Sequence, residues 1–137
     1  MYSSIMIPVN LAKTDETAKA ISVAADLAKL YSAKAYIVGV GQTAPSKTAH
    51  NPKEFSEKLN AFAAEQSEAQ GVEFTPHSEL SHDPAVDLDD ILLRAAKTLD
   101  VDLAVMASHI PGYAEHFFAS NAGYLASHAS ISVFVVR

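Results

Sequence analysis

The chain has 137 residues, 49% of them hydrophobic, no cysteine, and a formal charge of −6 at pH 7. This fits one domain with a real core and excludes a disordered chain. It also excludes a disulfide framework, a thiolate nucleophile and a zinc–thiolate centre. The acidic balance argues against a nucleic-acid partner and against attraction to an anionic membrane.

The chain opens on MYSSIMIPVN. This lacks the basic start and long apolar centre of a signal peptide. No apolar run reaches the ~20 residues of a membrane span. The expectation is a cytoplasmic protein with no membrane partner, whose first apolar run, Ser4–Val9, is a strand. Ile21, Ala24, Ala25, Ala28 and Tyr31 follow with helical spacing. Thr14 reads as the cap of that helix, with Asp15 and Glu16 favoured by its positive end. Ala35–Val40 is a second buried strand, and GQTAPSKTAHN after it reads as a mobile connection or a lid.

Asn51-Pro52-Lys53-Glu54 reads as an N-cap, a proline at the first helical position and a glutamate at the third. Phe55, Leu59, Phe62 and Gln66 form the stripe of that helix, and Gly71 stands where a C-terminal cap belongs. Val72–Glu79 alternates in part, as a strand at a sheet edge does. Asp83-Pro84 opens a third helix, with Leu88, Ile91, Leu92, Ala95 and Leu99 on one face. Leu103–Ala107 is a fourth strand, Phe118, Ala122, Leu125 and Ala129 a short fourth stripe, and Ile131–Val136 a fifth strand.

Strands alternating with helices predict an α/β fold in one domain over 1–137. It is an open five-stranded parallel sheet, doubly wound and Rossmann-like, with helices on both faces. Such sheets bind ligands beyond their C-terminal strand edges, where strand order reverses. That singles out Pro8-Val9-Asn10 after the first strand and Met106-Ala107-Ser108-His109 after the fourth.

These stretches also carry a resemblance. "IMIPVN", "HDPAVDLDDILLRAA", "VDLAVMASH" and "ASNAGYLASHASISVFVVR" resemble, nearly end to end, the universal stress protein family. The proline after the fourth-strand turn and the Ser-Asn pair resemble its short F-type branch. The resemblance implies a homodimer built on the last strand (Ser132, Val133, Phe134, Val135 and Val136). In many members it also implies bound ATP, held by a G-x2-G-x9-G-[ST] motif whose backbone N–H groups close on phosphate oxygens.

The chain departs from that motif. Ala107 stands at the first glycine, Ile110 near the second, with the spacing one residue short, then Ala119 at the third and Ser120 at the serine. Alanine is tolerated at negative φ and strained by about 1 kcal/mol or more at positive φ; isoleucine is worse. Val101 to Val136 holds no lysine or arginine, and His109 and His116 are mostly neutral at pH 7. Asn10 replaces the family's usual aspartate, adding a donor on the ribose or adenine side of the ligand.

The candidate pocket therefore runs between Pro8, Val9 and Asn10, the Val38–Gln42 turn with Val38 and Val40, and the Ala107–Asn121 loop. Backbone amides there, with Ser108, His109, Ser120 and Asn121, would hold ATP, ADP or AMP if one binds. Two readings stay open: a dimeric regulatory module with an adenine nucleotide, and a stress protein without one that acts by dimerisation or through an unknown protein partner. A weak ATP hydrolase is the third, and it lacks a P-loop lysine or a paired base and metal site.

Blander readings cover the other features. Ser108-His109 has no nucleophile elbow around it and reads as a polar turn, so no catalytic residue is assigned. The six histidines lack metal-ligand spacing, and no metal is expected. Asp83, Asp87, Asp89 and Asp90 read as acids favouring a helix start. Phe117, Phe118 and Tyr124 read as helix-to-sheet packing rather than an adenine stack.

Overall fold

The structure is a computed structural model that describes residues 1–46, 48–107 and 113–137, with side chains at all of these except Ala85 and 113–120. Five parallel strands alternate with four helices: β1 Ser4–Val9, α1 Ala18–Tyr31, β2 Lys34–Gln42, α2 Pro52–Gln70, β3 Phe74–Ser81, α3 Pro84–Thr98, β4 Leu103–Ala107, α4 Tyr113–His128 and β5 Ser132–Val136. The sheet order is β3-β2-β1-β4-β5, so the chain runs outward one way and then returns past β1 to run the other way. Strand order thus reverses between β1 and β4, as expected for a doubly wound sheet.

Two-residue periodicity of the strands divides the core into two layers. Ile5, Ile7, Ala35, Ile37, Leu103 and Val105 pack with Ile21, Ala24 and Ala28 of α1 and Phe55 and Leu59 of α2. Met6, Val38, Ala104 and Met106 pack on the other face with Leu88, Leu92 and Ala95 of α3 and Ala122 and Leu125 of α4. Tyr124 joins the packing between α3 and α4 through its rim, donating to Asp90 Oδ1 at 2.9 Å and stacking on His128 with centroids 4.1 Å apart.

Helix ends follow their local chemistry. Asn51 Oδ1 accepts from Glu54 N at 2.8 Å, and Glu54 Oε2 accepts from His50 N at 3.1 Å, one residue before the cap. Gly71 closes α2 at φ 68°, the left-handed conformation that glycine adopts without strain. Thr14 does not cap α1 as expected: it opens a 3-10 turn, Thr14–Thr17, and the fully buried Thr17 donates its Oγ1 proton to Thr14 O at 2.9 Å. Asp15 and Glu16 therefore sit in that tighter turn, ahead of α1.

Strand bounds shift at β2 and β3. β2 continues through Gly41 to Gln42, and β3 starts at Phe74 and ends at Ser81, because Gly41 pairs with Leu80 and Gln42 with Ser81. Gly41 belongs to the strand for a packing reason: a Cβ there would lie 2.7 Å from Phe55 Cδ1, so only a bare backbone lets the α2 ring lie on β2. Ser67 Oγ accepts Phe74 N at 2.9 Å and so marks the start of β3 two residues later than the apolar pattern suggests.

Candidate ligand-binding site

β1 pairs with β2 along its whole length, from Ser4 with Lys34 to Val9 with Gly39. Against β4 it pairs at Ile5 with Leu103 and Met6 with Ala104. The two central strands thus part toward their C-terminal ends. Pro8 stands in that parting region, where a residue without an N–H leaves no unpaired donor.

A cavity of about 430 Å³ opens beside it at the C-terminal edge of β1 and β2. Pro8, Val9 and Asn10 contribute one wall, and Val38, Val40, Gly41 and Gln42 a second. Phe55 of α2 closes the floor on one side, and Leu88 and Leu92 of α3 on the other. Ser46 and Thr48, from the loop between β2 and α2, supply hydroxyls at the rim, and Asp83 and Pro84 supply the start of α3. Val38 and Leu92 are fully buried behind this lining, and Asn10, Gln42, Ser46, Thr48 and Asp83 bring polar groups to it.

Asn10 is half-buried at the margin. Its Oδ1 accepts from Ala12 N at 3.0 Å and its carbonyl accepts from Lys13 N at 3.0 Å, so the turn after β1 is held by Asn10 itself. With the oxygen used locally, the side-chain NH2 is what Asn10 can present to a ligand.

The loop after β2 is a fastened wall. Thr43 N donates to Ser81 O at 3.1 Å, and Thr43 Oγ1 shares a hydrogen bond of 3.0 Å with His82 Nδ1. Ser46 N donates to Ala49 O at 2.8 Å, and Ala49 is buried in the core. Lys58 of α2 donates to Thr48 O and pairs with Glu54 at 3.4 Å. The Glu54 carboxyl lies below its ordinary pKa, held there first by the His50 N–H and then by Lys58.

Of the residues singled out from the sequence, the structure brings Pro8, Val9, Asn10, Val38 and Val40 into this one cavity. Ala107 and Asn121 are both buried. Ser108, His109 and Ile110 lie outside the described residues, as do the side chains of His116, Phe117, Phe118, Ala119 and Ser120. The sequence reading missed the α3 wall (Asp83, Pro84, Leu88, Leu92) and the rim hydroxyls of Ser46 and Thr48. The Asp83-Pro84 pair was the available signal, since a helix start after a strand points back at that strand's C-terminal edge.

The acids of α3 divide by role. Asp87 Oδ2 accepts from Ser81 Oγ at 3.1 Å and Asp90 accepts from Tyr124. Burial raises the Asp89 carboxyl above its ordinary pKa, with the neighbouring Asp90 charge adding to the shift. Among the described residues no group of three acidic or histidine side chains has the geometry to hold a metal ion. No described helix is long and apolar enough to cross a membrane.

β5 forms the sheet edge beside β4, running from Ser132 paired with Leu103 to Val136 paired with Ala107. Phe134 and Val135 are 45% and 44% exposed there, Ser132 is exposed, and Val133 is half-buried. Val136 is buried in the core.

Comparison with known proteins gives the architecture its relatives. Universal stress protein G of Escherichia coli O157:H7 is 27% identical over 142 residues, covering all of both chains. A universal stress protein crystallised in complex with cAMP superposes with a TM-score of 0.70 at 17% identity, over 99% of this chain and 97% of that one. The universal stress protein of Archaeoglobus fulgidus in complex with dAMP gives 0.69 at 18% identity, over 99% and 98%. The sequence model of the universal stress protein family matches residues 1–137 from end to end, and the chain belongs to that family.

Proposed function

We propose that this protein is a dimeric, cytoplasmic binding and regulatory module, not an enzyme, that takes an adenine nucleotide in the cavity at the β1–β2 edge. The observation that carries the reading is the cavity at the C-terminal edge of β1 and β2, lined by Pro8, Val9, Asn10, Val40, Gly41 and Gln42 and by the start of α3 at Asp83 and Pro84. An adenine ring would be partly buried at such an edge, and the Asn10 amide offers a donor to a ring or ribose acceptor. The complexes of structural relatives with cAMP and dAMP support the choice of ligand class. The exposed apolar edge at Phe134 and Val135 supports pairing with a second copy. The absence of cysteine suits a reducing compartment.

Replacement of all three motif glycines favours one alternative, a member that binds no nucleotide and acts through dimerisation or a protein partner. Thermal unfolding with ATP, ADP and AMP separates the two. A ligand present at 100 times its Kd adds about 2.7 kcal/mol of stability, a shift of several degrees for a domain of this size. A melting temperature unmoved by millimolar nucleotide would leave the nucleotide-free reading.

A further inference from the structure

Helices α3 and α4 pack together on one face of the sheet. Leu88, Leu92 and Ala95 of α3 and Ala122 and Leu125 of α4 share one apolar cluster there. Beside that contact runs a short polar row, with Asp89 and Asp90 on α3 and Tyr124 and His128 on α4. Three members of the row are tied. Tyr124 donates to Asp90 Oδ1 at 2.9 Å, the His128 ring stacks on Tyr124, and His128 Nδ1 lies 3.0 Å from Tyr124 O. A carbonyl oxygen only accepts, so this Nδ1 carries a proton. Asp89 is the exception: its Oδ1 is buried and has no hydrogen-bond partner.

We propose that the α3–α4 seam is an acid-closing device: uptake of a proton by the Asp89 carboxyl removes an uncompensated charge from the contact and fastens α4 more tightly to α3. A carboxylate oxygen shut off from water and left unpaired is costly while ionised and far less so once protonated. Burial and the Asp90 charge act in the same sense, holding the Asp89 pKa above its ordinary value, and His128 opposes them. The folded state therefore takes up this proton at a higher pH than the unfolded chain. The ionised group weakens the fold above the folded value, and that penalty is lifted as pH falls toward the unfolded value. This is the reverse of a hydrogen-bonded carboxylate, which acid loosens.

The other charged groups of α3 are engaged elsewhere. Asp87 accepts from Ser81, and Arg94 faces Glu79, itself beside His77 of β3. Tyr36 of β2 packs against the apolar cluster. On α4, Glu115 and His116 precede Tyr124 by more than two turns, about 12 Å or more along the axis. The seam adjoins the cavity, because Leu88, the residue before Asp89, lines it. The device does not depend on which ligand the cavity takes.

Amide hydrogen exchange of the whole protein, wild type against Asp89→Asn over a series of pH values, tests this. Asparagine is uncharged throughout and matches the protonated acid in shape. At pH 7 the amides of Leu125 and Ala126 in α4 should exchange severalfold more slowly in the variant than in wild type. The difference should vanish as pH falls to about 4. His128→Gln should leave that pH dependence in place. Three results would overturn the proposal: variant amides that exchange at the wild-type rate or faster at pH 7, a difference that stays constant down to low pH, or a pH dependence abolished by His128→Gln, which would place the titrating group on the histidine.

Discussion

Two residues join distant parts of the chain. Asp102 accepts from Ser3 N at 2.9 and 3.2 Å, Ser4 N at 3.0 Å and Ser3 Oγ at 3.0 Å, clamping the start of β1 to the loop before β4. Partial burial acts to raise its pKa, but the donors from Ser3 and Ser4 outweigh burial and the net shift is downward. A carboxylate whose pKa is lower folded than unfolded stabilises the fold above the unfolded value, near pH 4, and loses that contribution as pH falls through the folded value. Asp102→Asn should therefore flatten the decline of stability below about pH 4, as followed by urea unfolding across pH. An unchanged pH profile would count against the clamp. Nothing in the local sequence announces this contact, because its partners lie 98 and 99 positions away. Gly41 is the second case. It reads as the start of a loop, yet Phe55 lies where its side chain would be. Gly41→Ala should cost about 1–3 kcal/mol through overpacking and, because the displaced Phe55 lines the cavity, weaken any ligand bound there. Stability and affinity at wild-type levels would show that the ring yields freely.

At the scale of elements, the helix signals with short-range partners were the readable ones. Asn51, Pro52 and Glu54 name the start of α2, and Gly71 its end, because each acts within three or four residues of itself. Asn51→Ala should destabilise the protein by about 1 kcal/mol and loosen the loop that carries Ser46 and Thr48, whose far end this cap fixes. Hydrogen exchange at Glu54 N is the measurement, with faster exchange expected. Unaltered exchange would assign the loop's order to Lys58 and Thr43 alone. Thr14 misled for the same local reason: a threonine before two acids reads as a cap, but Thr17 turns back onto it and makes a tighter turn. The α3 wall of the cavity was hidden because Leu88 and Leu92 read equally well as ordinary core, and burial on one face cannot say which neighbour lies beyond.

At the scale of the molecule, strand order follows from alternation and handedness, and this is why the sheet and its reversal beside β1 were legible. The reversal pointed to this edge, and five of the residues it singled out line one cavity there: Pro8, Val9, Asn10, Val38 and Val40. The dimer proposed above rests on the other edge. A chain with Phe134 and Val135 exposed on β5 should sediment as a dimer at micromolar concentration, and Phe134→Asp should shift it toward monomer. A wild-type monomer would contradict that pairing.

Binding of an adenine nucleotide at the β1–β2 edge would be seen in backbone amide NMR during titration with AMP. Saturable shifts are expected at Asn10, Val38, Val40 and Thr48, with the amides of β5 little affected. Saturation with the shifts confined to other surfaces, or spectra unchanged at millimolar AMP, would contradict it.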